Sequence, residues 1–402
     1  MTSPLSAQSP VQSPPEQSSL PFWIHAQFTL IGATTVLLGP ILPSLAVQWG
    51  MRDLQKGYLL FAQYAGSMLG SLLSTRALPR WGFNRICCVG MLILCSGLEI
   101  FMLASWQVGI AGIFLCGLGM ALAITASNLE VAESNSGRAA AALSLLNFSW
   151  GIGAVTFPFL VGTALRNVSL TRLIPVLGLL PIVFAVRFAR FASSGDKTVS
   201  ESSKKISPLA PWRPLPFILI ATLAFLYVGT ECALGGWIAS YARDFAPVSA
   251  GRAAMAPTAF WAAFLGGRAL APFFLRSHSE ITIYRLALMT AFLGTVVLLT
   301  AQLVPFLLVG AAIAGFGLAT IFPIIAAVMA RDLGERGNRL GGFFFATGNL
   351  GGAVIPFSVG AISTQAHSLR AGLALTLLVM TIMFGMSLAF SKRLAFASQE
   401  AA

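Results

Sequence analysis

Apolar runs long enough to cross a bilayer follow one another along the whole chain. A transmembrane helix needs about 20 apolar residues, and we find twelve such runs separated by polar breaks. Hydrophobic residues make up 56% of the 402 residues and charged residues only 9%, whereas about 25% of a soluble domain is charged. The pattern predicts an all-α membrane protein with twelve transmembrane helices. We number the predicted spans helix 1 to helix 12 in chain order: 22–48, 57–76, 86–105, 107–129, 139–165, 171–190, 214–241, 252–275, 284–303, 305–330, 340–363 and 370–390.

A faint internal repeat divides these runs into two groups of six. The segment Gly112–Gly162 aligns without a gap with Gly310–Gly360, which begins 198 residues later. The matched residues include Gly112 with Gly310, Gly117 with Gly315, Gly119 with Gly317, Arg138 with Arg336, Gly153 with Gly351, Pro158 with Pro356 and Gly162 with Gly360. Weak internal symmetry of this kind is a feature of transporter folds. We therefore predict two pseudo-symmetric six-helix bundles, 21–190 and 214–390, whose close-spaced glycines allow close helix contacts and whose prolines serve as hinges or as static kinks.

The polar segments indicate how the chain is oriented. Residues 1–20 are rich in Ser, Pro and Gln and predict a disordered tail, 191–213 predicts a linker between the bundles, and 391–402 predicts a second tail. When both termini are placed in the cytoplasm, 17 Lys and Arg residues fall on the inner side and 7 on the outer side, with Arg268 inside a run. The positive-inside rule favours this topology. The net charge of +12 is thereby explained without a nucleic-acid partner.

Nothing in the sequence indicates a catalytic or metal centre. The five cysteines all lie in apolar runs and are expected to be packing residues. The three histidines are scattered at the ends of runs or in loops, so we expect no cofactor, no metal ion and no enzymatic activity. We expect a monomeric, multi-pass protein of a bacterial inner membrane. Its partners are expected to be the lipid bilayer and a small-molecule substrate, with Na⁺ or H⁺ as candidate co-transported ions.

The loop after the second run carries a family motif. It reads Arg76-Ala-Leu-Pro-Arg80-Trp-Gly82-Phe-Asn-Arg85, which resembles the Gly-x-x-x-Asp-Arg-x-Gly-x-Arg loop of the major facilitator superfamily. Arg80, Gly82 and Arg85 match that loop. Pro79 replaces the aspartate and Thr75 the first glycine, so the charge latch of this loop does not carry over in full. Together with the runs and the repeat, the resemblance covers residues 22–390 and implies the major facilitator fold.

Three further segments resemble the fucose permease-like branch, which includes sodium-dependent glucose transporters. They are Leu146–Ala154 in helix 5, Tyr227–Tyr241 in helix 7 and Phe260–Arg268 in helix 8. The resemblance implies a sugar substrate. In proton-coupled members, an aspartate in helix 1 and a glutamate in helix 4 handle the proton. The matching positions here are Gly39 and Ile124, which cannot titrate, so that coupling scheme does not carry over.

Ionisable residues inside the runs are few. They are Glu99, Glu231 and Arg268, and each must be paired, hydrated or functional because a charge at mid-bilayer costs roughly 2.5–3.5 kcal/mol. Glu231 is the preferred substrate-binding and coupling residue, since its carboxylate can accept sugar hydroxyls, bind a proton or help to hold sodium. A structural carboxylate is the alternative. Glu99 is interpreted as structural and Arg268 as a gating or packing cation.

Polar and aromatic residues supply the other substrate-binding candidates. Asn147 and Trp150 lie three residues apart and share a helical face. An amide bonds hydroxyl groups, and an indole offers an apolar face with one donor, which suits a sugar. Helix packing or a lipid-facing position is the alternative. The remaining candidates are Gln63, Asn128, Trp237, Trp261 and Asn349.

Charged loops supply the gating candidates. Residues that bracket the predicted cytoplasmic loops are expected to form ion pairs that close an inner gate, or else to be solvated loop charges. Together with Arg268 in helix 8, the candidates are Arg80, Arg85, Glu130, Glu133, Arg138, Asp332, Glu335 and Arg336.

These features predict a secondary transporter that moves a small polar solute, preferably a monosaccharide, by alternating access. Facilitated diffusion and cation symport both remain open. The first alternative is a drug or metabolite exporter, which usually carries a Gly-Pro pair in helix 5, whereas Phe157 precedes Pro158 here. The second is a receptor or sensor on a transporter scaffold, which predicts a sizeable signalling domain, whereas the polar ends of this sequence are short.

Overall fold

The computed structural model describes residues 20–101, 103, 105–135, 139–165, 167–192, 214–245, 253–333 and 335–399. Within these residues the regular structure is helical. The helices are α1 (Leu20–Thr35), α2 (Leu38–Trp49), α3 (Asp53–Trp81), α4 (Phe83–Phe101), α5 (Trp106–Ser134), α6 (Ala139–Ala164), α7 (Leu170–Gly178), α8 (Leu180–Phe191), α9 (Pro214–Phe245), α10 (Met255–Ser277), α11 (Glu280–Thr300), α12 (Val304–Leu318), α13 (Ile321–Leu333), α14 (Glu335–Ala366) and α15 (Leu369–Gln399).

Each predicted run coincides with one helix or with a helix pair separated by a short break. Among the described residues, ten helical segments are long and apolar enough to cross a membrane, and the pair α1–α2, bent by 40°, makes an eleventh. The remaining run falls on α3, which has 29 residues but is more polar because it carries Gln63, Ser67 and Ser71. The last helix continues to Gln399, into the segment predicted as a tail. Residues 1–19 and the linker at 193–213 lie outside the described residues.

The repeated glycines make equivalent contacts in the two halves. A Cβ atom added to Gly117 of α5 would lie 1.9 Å from the Gln63 carbonyl oxygen of α3. At the matched position on α12, a Cβ atom on Gly315 would lie 2.2 Å from the Phe260 carbonyl oxygen of α10. The other matched glycines also contact equivalent helices: Gly112 and Gly119 contact α4 where Gly310 and Gly317 contact α11, and Gly153 contacts α1 where Gly351 contacts α9. The repeat therefore encodes the same close helix packing twice.

The two halves, α1–α8 and α9–α15, meet along helices that the repeat relates. Contacts between the halves are made mainly by α3 with α14, by α6 with α10 and by α2 with α9. Because α3 corresponds to α10 and α6 to α14, the first two contacts are symmetry equivalents. This packing is that of two pseudo-symmetric six-helix bundles joined at a central interface.

Two helix breaks next to this interface are capped by side chains from neighbouring helices. At the break between α1 and α2, the Gln63 amide Nε2 donates a hydrogen bond of 2.7 Å to the Thr35 carbonyl oxygen. At the break between α12 and α13, the Tyr227 hydroxyl donates one of 3.0 Å to the Leu318 carbonyl oxygen. A carbonyl without a partner is costly in a bilayer, so these bonds allow the chain to change direction beside the centre.

Candidate functional site

A group of polar and aromatic side chains occupies the centre of the interface between the halves. This central cluster consists of Trp150 on α6, Tyr227 and Glu231 on α9, and Trp261 and Arg268 on α10. The Trp150 and Trp261 rings meet edge to face, with centroids 5.6 Å apart. The Arg268 guanidinium carbon lies 5.9 Å from the Trp150 ring centroid. The cluster therefore joins one bundle to the other.

Helical spacing and one glycine bring these residues together. Tyr227, Glu231 and Gly235 follow at intervals of four on one face of α9. Trp261 and Arg268, seven residues apart, share the facing side of α10. A Cβ atom on Gly235 would lie 2.6 Å from the Trp261 ring, so the glycine allows the indole to pack directly on α9.

Two hydrogen-bond donors of the cluster have no acceptor. The Trp261 indole Nε1 and the Arg268 Nε are both buried without a hydrogen-bond partner. Glu231 is partly exposed, and its carboxylate interacts electrostatically with Arg268 and Tyr227. A buried donor without an acceptor costs about 1–3 kcal/mol. These donors, the carboxylate and two indole faces form a set of groups that a hydroxylated solute can satisfy.

Gln63 lies at the edge of the central cluster. Thr35 links it to Trp150, because both side chains donate hydrogen bonds to Thr35. The Trp150 indole donates a hydrogen bond of 3.4 Å to the Thr35 hydroxyl, and Gln63 bonds the Thr35 carbonyl as described above. The other amide atom of Gln63, Oε1, is buried and has no partner. Its donor is therefore used to cap the helix break, while its acceptor remains available.

The other predicted substrate-binding residues lie outside the cluster. Trp237 is fully buried, and its indole donates a hydrogen bond of 3.0 Å to the Pro356 carbonyl oxygen of α14. Asn147 is exposed, and its amide bonds the Leu143 carbonyl oxygen of its own helix at 2.8 Å. The last two of these predicted residues, Asn128 on α5 and Asn349 on α14, are partly exposed. The structure thus brings together Trp150, Glu231 and Trp261 from the sequence prediction, with Gln63 beside them.

On one stripe of α6 and one stripe of α10, exposure is greater toward one face of the molecule than toward the other. We name these faces after residues on them: α3 begins at the Asp53 face and ends at the Arg80 face. On the inward stripe of α6, Val161 and Ala154 are buried whereas Asn147, nearer the Arg80 face, is exposed. On α10, Trp261 is buried, Arg268 is partly exposed and Pro272, nearer the Arg80 face on the same side of the helix, is exposed. On these stripes the side chains of both helices are therefore more exposed toward the Arg80 face.

The opposite face is closed by polar contacts between the halves, which we call the Asp53 clamp. The Ser363 hydroxyl of α14 donates a hydrogen bond to the Asp53 carboxylate of α3, and the Leu54 amide donates one of 2.9 Å to the Thr364 hydroxyl. The Lys56 ammonium lies 2.7 Å from the other Asp53 carboxylate oxygen. The Asp53 clamp therefore connects the start of α3, in one half, to the end of α14, in the other.

The Asp53 clamp was not predicted from the sequence. Asp53 and Ser363 lie at helix ends, where short polar residues are common as capping and turn residues. The one available signal was the exclusion of Asp53 and Lys56 from the apolar run that follows them. Their partners on α14 are 310 residues away.

The gating residues predicted in the loops occupy the Arg80 face where they are described. Arg80 and Arg85 are exposed on either side of Gly82, whose φ of +77° favours glycine between α3 and α4. Glu130 accepts a hydrogen bond of 3.2 Å from the Ser134 hydroxyl, and Glu133 is exposed. Arg268 belongs to the central cluster. The structure does not describe the side chains of the other four candidates, so the ion pairs predicted for them stay a prediction. These candidates are Arg138, Asp332, Glu335 and Arg336.

Glu99, the other acidic residue within an apolar run, lies away from the centre. It is on α4 against the break between α7 and α8, where a Cβ atom on Gly178 would lie 2.5 Å from its Oε1 atom. This oxygen is buried without a hydrogen-bond partner. The carboxyl group therefore packs inside one bundle and does not face the other.

Comparison with known proteins places this architecture in a family. The model of the Major Facilitator Superfamily matches residues 26–356. The glucose/mannose transporter GlcP of Bacillus subtilis (strain 168) is 23% identical over 378 residues, which cover 89% of this chain and 92% of the relative.

Solved structures share the fold at low identity. A bacterial homologue of the human lysosomal transporter Spinster, in an inward-facing and unoccupied conformation, has a TM-score of 0.75 at 13% identity, with 94% of this chain and 98% of that chain covered. A D-xylose-proton symporter has a TM-score of 0.72 at 13% identity, with 92% and 97% covered. The predicted major facilitator fold is confirmed: the chain is a member of the Major Facilitator Superfamily.

Proposed function

We propose that this protein carries a monosaccharide across the membrane by alternating access, and that the central cluster is its binding site. The observation that carries the proposal is the pair of buried donors without acceptors, Trp261 Nε1 and Arg268 Nε, beside the acidic residue Glu231, which is partly exposed. Groups of this kind persist in a bilayer interior when they serve a ligand or hold water.

The chemistry of the cluster matches a pyranose sugar. Sugar hydroxyls both donate and accept hydrogen bonds, so they can satisfy the two free donors and the Glu231 carboxylate together. The C–H faces of the ring pack on indoles such as Trp150 and Trp261. The name of the relative GlcP, a glucose/mannose transporter, supports the same substrate class.

The two faces of the molecule supply the alternating gates of the proposed cycle. The Asp53 clamp closes one entrance, and the exposure of Asn147 on α6 and Pro272 on α10 supports an opening at the other. Rocking of the bundles about the central cluster would exchange these arrangements. The excess of Lys and Arg near the Arg80 face supports a cytoplasmic position for that face and for both termini. The membrane is proposed to be the inner membrane of a bacterium.

Coupling to an ion is proposed to pass through Glu231. It is the one acidic side chain of the central cluster, and the positions that handle the proton in fucose permeases are occupied by Gly39 and Ile124. Its partial exposure allows a solute or an ion to reach it.

Counterflow of labelled D-glucose into proteoliposomes preloaded with unlabelled D-glucose tests the proposal. Counterflow needs no coupling gradient, so it reports binding and rocking alone. We expect saturable uptake by the purified protein and a loss of affinity in Glu231→Gln. The matched control is Glu99→Gln, the same substitution in a spanning helix away from the cluster, which should transport normally. If neither D-glucose nor D-mannose shows counterflow while an amphipathic drug does, the exporter alternative replaces this proposal.

A further inference from the structure

A cavity lies inside the second half of the molecule, among four of its helices. It has a volume of about 60 Å³, and its walls are formed by α9, α11, α13 and α15. One water-sized group needs roughly 10–15 Å³ of such space, so the cavity holds about four to six non-hydrogen atoms. Most of the lining is aliphatic, from the side chains of Ile220, Leu223, Ile281, Ile324, Ile325 and Val328.

The cavity is close to the central cluster but does not belong to it. Leu223 precedes Tyr227 by one turn on the same face of α9, and the Tyr227 ring stacks on Phe322 of α13 with the ring centroids 5.8 Å apart. Neither ring lines the cavity, and among the described residues that do line it none is a member of the central cluster. A ligand in the cavity therefore leaves the central cluster free.

The mouth of the cavity is electrically balanced. Its most exposed residues are Glu280, at the start of α11, and Arg331, on α13, and an ion pair of 2.8 Å joins their side chains. Glu280 repels an anionic ligand, and Arg331 repels a cationic one. The mouth therefore favours a neutral ligand over an ion of either sign.

One hydroxyl group inside the cavity has no partner. The Tyr284 hydroxyl, one turn along α11 from Glu280, is buried without a hydrogen-bond partner, and Tyr284 is only 4% exposed. The other hydroxyl of the lining, that of Ser387 on α15, is already used, since it donates to the Phe384 carbonyl oxygen at 2.6 Å and accepts from Arg285 Nε at 3.2 Å. Within the described lining, Tyr284 thus offers the one unused side-chain hydroxyl.

The internal repeat provides a comparison for this position. The matched glycine contacts relate α4 to α11 so that Phe101 is equivalent to Leu298, and Cys87 is therefore equivalent to Tyr284. Cys87 has a partner on α5, because its Sγ atom lies 3.8 Å from the Ser127 Oγ atom. The equivalent of Ser127 in the second half is an isoleucine of the cavity wall. The second half therefore has an aliphatic wall and a free hydroxyl where the first half has a bonded pair.

These observations define the ligand by its chemistry. A water molecule in the cavity would find one unpaired hydroxyl, whereas an ordered internal water makes about three hydrogen bonds. An alcohol needs fewer, because its chain packs on the aliphatic walls while its hydroxyl pairs with that of Tyr284. We propose that this cavity is a second binding site, which takes a small neutral alcohol and is independent of the transported solute.

Binding of n-butanol, whose size fits this volume, tests the proposal. Saturation-transfer difference NMR is recorded on the full chain in perdeuterated detergent, so that the signal reports contact with the protein and not with the micelle. We expect a saturable signal from wild type. Tyr284→Phe should weaken binding roughly twofold to tenfold by loss of one neutral hydrogen bond. The matched control is Tyr58→Phe at an exposed tyrosine of α3, which should bind as wild type does.

A variant that fills the cavity gives a second measurement. Leu223→Phe places a larger side chain in the cavity and should abolish the saturable signal. Leu215→Phe, at an exposed position near the start of the same helix, should keep it. The anion n-butanoate should bind more weakly than n-butanol, because Glu280 lies at the mouth. Should Leu223→Phe not fold, the Tyr284→Phe measurement decides the proposal.

The absence of a saturable n-butanol signal in wild type would overturn the proposal, since the cavity then holds water only. Equal affinity in wild type, Tyr284→Phe and Leu223→Phe would also overturn it, because the alcohol would then bind elsewhere, and tighter binding of n-butanoate would contradict the neutral ligand. Saturating D-glucose should leave the affinity for n-butanol unchanged, and competition would refute a separate site. If D-glucose counterflow is absent, the proposed function fails, but the n-butanol measurements still decide this proposal.

Discussion

Removal of the Ser363 hydroxyl should open the Asp53 face. In the structure this hydroxyl donates a hydrogen bond to the Asp53 carboxylate across the two halves. Ser363 is buried, so water does not readily replace the lost donor. We expect Ser363→Ala to shift the equilibrium between the closed and open arrangements of this face without affecting the fold of either bundle.

The size of the shift follows from the type of bond. A hydrogen bond to a charged group contributes about 1.5–3 kcal/mol, and each 1.4 kcal/mol is a factor of ten in a population ratio. The population open at the Asp53 face should therefore rise roughly 10- to 100-fold. The Leu54–Thr364 hydrogen bond of 2.9 Å remains, so the clamp is weakened but not removed.

Cys232 provides a reporter of this opening. It lies on α9 next to Glu231 and is 8% exposed. In a protein that retains only this thiol, with alanine at Cys87, Cys88, Cys95 and Cys116, a membrane-impermeant thiosulfonate is added from the Asp53 side. The labelling rate should rise in Ser363→Ala in proportion to the open population.

Ser358→Ala is the matched control. Its hydroxyl also lies on α14, but it bonds the Val354 carbonyl oxygen of its own helix at 2.8 Å. Labelling in this variant should equal that of the parent. Equal labelling rates in Ser363→Ala and Ser358→Ala, at unchanged thermal stability, would refute the idea that the clamp holds this face shut.

Other substitutions test the packing and the site. Gly153→Ala should sharply lower the apparent unfolding temperature in detergent, because its Cβ atom would lie 1.9 Å from a carbonyl oxygen of α1. Gly266→Ala is the control and should leave the unfolding temperature unchanged, because a Cβ atom there has nothing within 4 Å. Equal unfolding temperatures for the two variants would contradict the close contact between α6 and α1. Gln63→Leu should cost about 1–3 kcal/mol of stability by leaving a helix-break carbonyl unpaired, and unchanged melting would argue that water replaces the amide. Trp261→Phe should raise KM roughly twofold to tenfold by loss of one neutral hydrogen bond, whereas Trp81→Phe, exposed at the end of α3, should not; equal KM values would remove Trp261 from the site.

The architecture was predictable from the sequence because the bilayer imposes a length and a hydropathy on each span. All twelve runs coincide with helices, and the aligned glycines Gly117 and Gly315 make equivalent contacts in the two halves. The helix breaks were not predicted. The run at 22–48 is continuous in hydropathy although the helix ends at Thr35, since a break costs little once Gln63 supplies a hydrogen bond from another helix.

The site was predictable only in part, because spacing shows which residues share a helix face but not which helix they meet. Glu231 and Trp150 were selected as rare polar or amphipathic side chains, and both lie in the central cluster. Trp237 is likewise a tryptophan within an apolar run, yet it is fully buried and its indole donates a hydrogen bond to the Pro356 carbonyl oxygen. Arg268 was predicted to be a gating or packing cation from its position on the eighth span. Its proximity to Glu231, 37 positions earlier, depends on which sides of two helices face each other and could not be predicted from spacing.

Protection of Cys232 by sugar tests most directly whether the solute occupies the centre of the interface. The rate of its alkylation by N-ethylmaleimide is measured in the single-cysteine protein, with and without saturating D-glucose, after counterflow has shown that this protein transports the sugar. The account predicts that D-glucose slows alkylation with a half-maximal concentration equal to that of counterflow, and that Glu231→Gln shifts both together. An alkylation rate that stays constant at sugar concentrations that saturate counterflow would contradict it.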